Sequence, residues 1–372
     1  MRKTNAKKHI VHIVYRLDIG GLERVLVNSI NALPATEYQH SIIALTDYSK
    51  EFSALLEHEV SLHALHKPEG HSWKIFYQVW RLLFRLRADI VHSYNLPTLE
   101  YQLCSLLAGV PKRLHAEHGR DIYDPEGKNK KYRLLRQLMS PFVDKFIAVS
   151  DDLYQWLLKT VNIAPSKCCL IYNGVDTDKF SPAKQKSRLD ERQQDKFVFG
   201  CVGRLHAIKD HKLLISAFTL ACQQSTEFKQ QAQLSIVGDG PLKNELQQQI
   251  EQAQLQQHIW LVGARHDMQT VYHAFDVFVM SSKGEGVPMT MLEAMACGLP
   301  VVSTHVGGIP EITNEKNAIL VPPQDQQSLA CALLEIFEQR ENLQHYKDES
   351  RKLAVDEFSE INMIRLYQAT YR

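Results

Sequence analysis

Between Phe275 and Thr304 the chain reads as a strand, a turn, a short helix, a second turn and a second strand. The apolar run FDVFVM (Phe275–Met280) has the length of a buried strand and stops at Ser281, Ser282, Lys283 and Gly284. Pro288 suits the first turn of a helix, where its missing N–H leaves nothing unpaired. Met289, Met291, Leu292 and Met295 give that helix a buried face. Gly298 ends it, and Pro300-Val301-Val302 opens the next strand.

Two carboxylates frame this helix, Glu285 just before it and Glu293 within it. Eight residues at helical rise separate them by at most ~12 Å. Carboxylates that act together on one glycosidic bond stand roughly 5–9.5 Å apart, so this pair is set too wide for that work. It suits gripping the two ends of one extended ligand. The helix start between them, Gly286, Val287, Pro288 and Met289, brings backbone N–H groups to a phosphate. Hydroxyls at both ends and phosphate in the middle describe a nucleotide-sugar. Taken as isolated residues, Glu285 would be a solvated loop acid and Glu293 a surface helix acid.

The same alternation runs through the chain. HIVHIVYRL (His9–Leu17), HSIIALTD (His40–Asp47), ADIVHSYN, RLHAEH (Arg113–His118) and KFIAVS (Lys145–Ser150) read as strands in the first half. FVFGCVGR (Phe197–Arg204), LSIVGDGPL and IWLVGARHD restart the pattern in the second. Strands alternating with helices at this spacing predict doubly wound α/β domains, with site residues on the loops after the strand ends. His118 falls on such a loop, as a polar contact to substrate or as a structural histidine. Gly20 and Gly21 join a strand to a helix over Leu22–Leu33, either admitting an anion or making a tight turn. The spacing is not G-x-G-x-x-G, so an NAD-type site is poorly supported. Arg204 and Lys209 flank the turn after another strand, where two cations can neutralise a departing pyrophosphate; as isolated residues they would be surface charges.

Trp73 to Arg87, WKIFYQVWRLLFRLR, stands directly before a strand, which favours a crossover helix packed on a parallel sheet. The alternative is a helix lying on a membrane with its basic edge toward headgroups. The basic cluster Lys128–Arg136 reads as a solvated helix face, or as an attraction for anionic lipid or a pyrophosphate-linked acceptor.

A chain of 372 residues predicts two domains, and 44% hydrophobic content allows a core in each. The polar run SPAKQKSRLDERQQDK marks the boundary: a first domain at 1–180, a linker at 181–195 and a second domain at 196–355. A net charge of +1 gives no pull toward nucleic acid. Seven scattered cysteines without C-x-x-C imply neither zinc nor a disulfide frame, and a reducing cytosol. Cys297 reads as a small core residue. No apolar core follows the basic MRKTNAKK and no run of 18 apolar residues exists, so any contact with a membrane is expected to be peripheral, on the cytoplasmic face.

Glu285 and Glu293 with seven residues between them, followed by AMACGLPVVST, Gly307-Gly308 and Glu311-Ile312, resemble the signature of retaining glycosyltransferases of family four. GRLHAIKDH is similar to a further motif of that family, and GGLERVLVN, EHGRD and IYNGVDTDKF are similar to those of its sugar transferases from bacterial exopolysaccharide gene clusters. The resemblance runs from about Ile10 to the end of the chain. It implies the GT-B fold, two Rossmann-like domains facing a cleft, with a final helix at 356–372 crossing back to the first domain.

The resemblance also implies roles. Gly20 and Gly21 would lie by the donor phosphates and the acceptor, and His118 by the transferred sugar. Val262 and Gly263 would lie against the nucleobase. Arg204 and Lys209 would meet the diphosphate, Glu285 the sugar hydroxyls and Glu293 the ribose. The donor would be a UDP- or GDP-sugar and the acceptor a saccharide or a polyprenyl-diphosphate-linked saccharide. The anomeric configuration would be retained without cofactor or metal. The rivals are a nucleotide-sugar epimerase or hydrolase on the same scaffold, and a non-catalytic sugar-nucleotide-binding subunit.

Overall fold

Strand-length apolar runs and the helices between them build two parallel sheets. The computed structural model describes residues 7–18, 20–121, 124 and 126–372. The basic start of the chain at residues 1–6 and Ile19 of the first glycine turn lie outside the described residues. The chain divides into two units: residues up to Asn173 together with Glu360–Arg372, and Gly174–Ser359.

The first unit holds β1 (Lys8–Val14), β2 (Tyr38–Ala44), β3 (Val60–Ala64), β4 (Ile90–Tyr94), β5 (Lys112–Glu117), β6 (Lys145–Ala148) and β7 (Cys168–Leu170), in the order β3-β2-β1-β4-β5-β6-β7. Every pair is parallel. One face, through Val11, Ile13, Ile43 and Val91, packs on the helices Trp73–Leu86 and Gln102–Leu107. The ladder places Ile13, Ser93, His115 and Phe146 in register on that same face, and Phe146 packs with Met139 of the helix Lys130–Met139. The opposite face carries His12, His40 and His92. It lies under the last helix, Glu360–Tyr371, whose Tyr371 hydroxyl stands 3.0 Å from His92 Nδ1.

The second unit holds β8 (Phe197–Val202), β9 (Ala232–Val237), β10 (Ile259–Gly263), β11 (Val277–Met280), β12 (Val301–Thr304) and β13 (Ala318–Val321), in the order β10-β9-β8-β11-β12-β13. It is also wholly parallel. The strand order reverses once in each sheet, between β1 and β4 and between β8 and β11. Such points leave a crevice beyond the strand carboxyl ends, where ligands bind in open α/β sheets.

Three expectations need correction. The polar run at 181–195 is no linker but part of the second unit: the Ser187 N–H donates to the His273 carbonyl, Lys186 pairs with Asp276, and Gln193 is buried with its amide 3.2 Å from Ser235 Oγ. The divisions fall at 173/174 and 359/360 rather than at 180 and 356. Finally, the helix Met289–Ala296 has no exposed face at all. Besides its methionines and Leu292 it buries Glu293, Ala294 and Ala296, with the helix Gln344–Asp356 packed against it.

Candidate active site

In the second unit the loops after β8, β11 and β12 hold one another. Ser281 Oγ donates to the carbonyls of Lys209 and Asp210 at 3.0 and 2.9 Å, tying the end of β11 to the loop after β8. Thr304 Oγ1 donates to the Ser282 carbonyl at 2.7 Å, and the Gly308 N–H to the Gly286 carbonyl at 3.1 Å. Gly307 sits at φ +52°, and a Cβ there would stand 1.8 Å from the Glu285 carbonyl oxygen. A side chain at that position would push the Glu285 loop aside.

That brace presents Glu285. Its Oε1 accepts from Lys209 Nζ at 2.6 Å and from Ser282 Oγ at 2.5 Å. The structure thus pairs two residues expected to serve different parts of a ligand. Arg204, at the mouth of the same loop, is exposed and pairs with no described residue. The turn after β9 is a structural brace rather than a nucleotide loop. Gly238, at φ +146°, abuts the Gly203 backbone, and the Leu205 N–H donates to the Asp239 carbonyl at 2.9 Å.

Pro288 is the residue before the helix rather than its first turn, and it brings no N–H, so the helix start offers one donor fewer than the count of its residues. Glu293 is 8% exposed and accepts from the Tyr272 hydroxyl at 2.6 Å. Burial and the Glu293 carboxylate push the Tyr272 phenol well above its usual range, so it stays a donor. Cys297, at the end of this helix, is pushed up to about 12 by burial and the nearby Glu293, which leaves it an inert thiol. Val262 and Gly263 close β10 two strands away from β8, with open space beside Gly263 at φ +86°.

In the first unit Gly20 precedes the helix Gly21–Ala32, and Glu23 folds back over it. A Cβ on Gly20 would stand 2.1 Å from Glu23 Oε2. Burial, with Asp18 nearby, raises the Glu23 carboxyl to about 7. His118 follows β5. Its backbone N–H donates to Asn95 Oδ1 at 2.8 Å, while both ring nitrogens are buried without a partner among the described residues. Burial lowers its pKa to about 4, so the ring is neutral near pH 7. A cavity of about 170 Å³ at this end of the sheet is lined by Tyr15, Glu23, Tyr94, Asn95, Arg120 and Asp121 among others. A larger hollow of about 230 Å³ borders Phe197 and Asp276, near the amino ends of β8 and β11, and holds no part of the candidate site.

Arg136, read from sequence as part of a basic surface cluster, is buried and forks onto Glu117 at 2.6 and 3.0 Å. Burial works to raise Glu117, but the Arg136 guanidinium and His115 outweigh it and hold the carboxyl at about 2. Glu23 and Tyr272 were missed in sequence. The spacing of Glu23 from Gly20, that of a capping glutamate three residues into a helix, was the available signal. Tyr272 had none, because its partner lies 21 residues away across the fold.

No helix among the described residues is long and apolar enough to cross a membrane, and no group of three or more His, Cys, Asp or Glu among them is placed to hold a metal ion.

Residues 19–179 match the family described as Glycosyltransferase Family 4, and residues 196–339 match Glycosyl transferases group 1. The chain is 28% identical over 359 residues to the UDP-Gal:alpha-D-GlcNAc-diphosphoundecaprenol alpha-1,3-galactosyltransferase of Escherichia coli, covering 91% of this chain and 90% of that one. It is 28% identical over 224 residues to the N-acetylgalactosamine-N,N'-diacetylbacillosaminyl-diphospho-undecaprenol 4-alpha-N-acetylgalactosaminyltransferase of Campylobacter jejuni, covering 60% of this chain and 58% of that one. The crystal structure of Anabaena Alr3699/HepE in complex with UDP-glucose superposes with a TM-score of 0.81 at 22% identity, over 97% of this chain and 98% of that one. The two parallel-sheet units are thus those of the GT-B fold. With a family 4 domain in its amino-terminal half and a group 1 domain in its carboxy-terminal half, the chain belongs to the glycosyltransferases.

Proposed function

We propose that this glycosyltransferase moves a sugar, with retention of anomeric configuration, from a UDP- or GDP-sugar to a saccharide or polyprenyl-diphosphate-linked saccharide in the assembly of a bacterial exopolysaccharide or other surface glycan. The observation that carries the donor side is the pair of carboxylates at the buried helix Met289–Ala296, with Lys209 bound to one of them. Glu293 takes the ribose hydroxyls and Glu285 the hydroxyls of the sugar. Lys209 is shared between Glu285 and the diphosphate, and Arg204 joins it as negative charge develops on the leaving group. Val262 and Gly263 border the base. His118, neutral and with ring nitrogens unpaired among the described residues, is assigned to the transferred sugar, and Gly20 and Gly21 to the phosphates and the acceptor. The printed names of the two relatives, both transferases onto diphosphoundecaprenol-linked sugars, support the acceptor class. The complex of Alr3699/HepE with UDP-glucose supports the donor class.

Charge stabilisation is assigned to side chains and the helix start rather than to a metal, and the protein works on the cytoplasmic side of the membrane that holds its acceptor. The test incubates the protein with UDP- and GDP-sugars, with and without a polyprenyl-diphosphate saccharide, in the presence and absence of EDTA. An α-linked product from an α-linked donor, formed only with acceptor and insensitive to EDTA, is the expected result. Donor epimerised or hydrolysed at full rate without acceptor assigns the other chemistry, and loss of activity in EDTA refutes the metal-free reading.

A further inference from the structure

The helix Trp73–Leu86 is apolar twice over. Ile75, Val79 and Leu83 point into the core. A second stripe, Trp73, Tyr77, Trp80 and Phe84, recurs at helical spacing on the outside. Trp73 is 81% exposed, Tyr77 57% and Phe84 63%. The rings of Tyr77, Trp80 and Phe84 form a continuous ladder with centroids 5.8 and 6.1 Å apart. Lys74, Arg81, Arg85 and Arg87 are exposed beside it. A helix that only bridges two strands has no need of this outer stripe.

Its neighbours in the layer share the pattern. The helix Gln102–Leu107 packs beside it and exposes Leu106 and Leu107. The helix Lys130–Met139 covers the next part of the same sheet face and exposes Leu134 and Leu138 alongside Lys130 and Lys131. No Asp or Glu occurs in 73–87, 102–113 or 128–142, in a chain whose net charge is only +1. The carboxylates Glu100, Glu126 and Asp144 stand at the segment ends and pair there with His71, Lys128 and Arg113, which leaves Lys74, Arg81, Arg85, Lys130 and Lys131 as the exposed charges of the helix faces.

We propose that the outer face of these three helices is a docking surface for an anionic lipid bilayer. The aromatic rings and leucines enter the interfacial zone, and the lysines and arginines meet headgroup phosphates. A second copy of the chain fits poorly, because two like faces would set basic residues against basic residues. Nucleic acid would leave Leu107, Leu134 and Leu138 without partners. The proposal deepens the reading of a lipid-linked acceptor, but its test does not depend on activity.

Full-length protein is sedimented with vesicles of phosphatidylcholine alone and of phosphatidylcholine mixed with phosphatidylglycerol, at low and high salt, with tryptophan emission recorded. Binding to the anionic vesicles, a blue shift and weakening by salt are expected. Two variants address different helices: Arg81→Glu with Arg85→Glu, and Leu134→Ser with Leu138→Ser. Each should lower partitioning about tenfold or more. Both change exposed residues, so their melting temperatures should match the wild type. Protein left in the supernatant with every vesicle, variants that bind as well as the wild type, equal binding to neutral vesicles, or self-association that buries Trp73 without lipid overturns the proposal. An inactive protein that still binds anionic vesicles sinks the glycosyltransferase assignment of substrates and leaves the surface standing.

Discussion

Glu293 accepts a hydrogen bond from the Tyr272 phenol, and that contact separates its structural role from its binding role. Glu293→Ala removes charge-assisted hydrogen bonds worth ~1.5–3 kcal/mol each and strands the buried Tyr272 hydroxyl at a cost of about 1–3 kcal/mol. The donor KM should rise at least about tenfold, and the melting temperature should fall. Adding Tyr272→Phe should restore much of the stability and none of the donor affinity. If the double variant regained the wild-type KM, Glu293 would have no ribose to hold. Arg204 presents the opposite case, an exposed cation with no partner among the described residues. Arg204→Ala should leave stability unchanged and lower kcat by ~10²–10³ if the guanidinium meets charge formed in the transition state. Single-turnover kinetics with an unchanged rate would return it to an ordinary surface charge.

At the scale of elements, the loop after β12 determines the position of the loop after β11. Gly307→Ala forces a left-handed residue, worth roughly 1–2 kcal/mol, and a backbone clash with Glu285. It should lower the melting temperature and weaken donor binding together, and isothermal titration with a UDP-sugar showing native affinity would break that link. The strands legible in sequence were those with continuous apolar runs. β3, β7 and β13 escaped notice, and all three are sheet edges. β3 is interrupted by Ser61 and His63, while β7 and β13, although apolar, span only three and four residues, too short for a periodic run to stand out.

For the whole molecule, acid should act first on the histidines beneath the sheet of the first unit. Burial, with neighbouring histidines, lowers His12 and His92 well below 6.5 and brings His40 to about 4. Their folded pKa values lie below the unfolded value, so the unfolded chain takes up protons first. Stability is complete above about pH 6.5 and is lost as pH falls toward the folded values, by on the order of 1.4 kcal/mol per histidine per pH unit. Glu23 works the other way. Its raised pKa of about 7 means the folded state binds the proton first, which returns some stability between pH 7 and 4.5. The three histidines, joined by His118 and His211, each brought to about 4 chiefly by burial, outweigh Glu23, so the urea midpoint should be lower at pH 5 than at pH 7, and an equal or higher midpoint would contradict this balance.

Hydrophobic periodicity and turn residues suffice to establish two parallel α/β sheets, because a strand buried on both faces must be apolar along its length. They also place Glu285, Glu293, Arg204, Lys209 and His118 near strand or helix ends, since glycine and proline mark those ends locally. They say nothing of which side chains meet. The Lys209–Glu285 pair, the Tyr272–Glu293 bond, the burial of Arg136 against Glu117 and the folding of Glu23 over Gly20 join residues from separate loops or opposite ends of a turn. Such contacts depend on how strands and helices pack in three dimensions, and packing leaves no periodic trace in the chain. The same holds for the outer face of the first unit: each helix alone looks like an amphipathic crossover, and only their arrangement on one side of one sheet collects the aromatic rings, leucines and basic residues into a single surface.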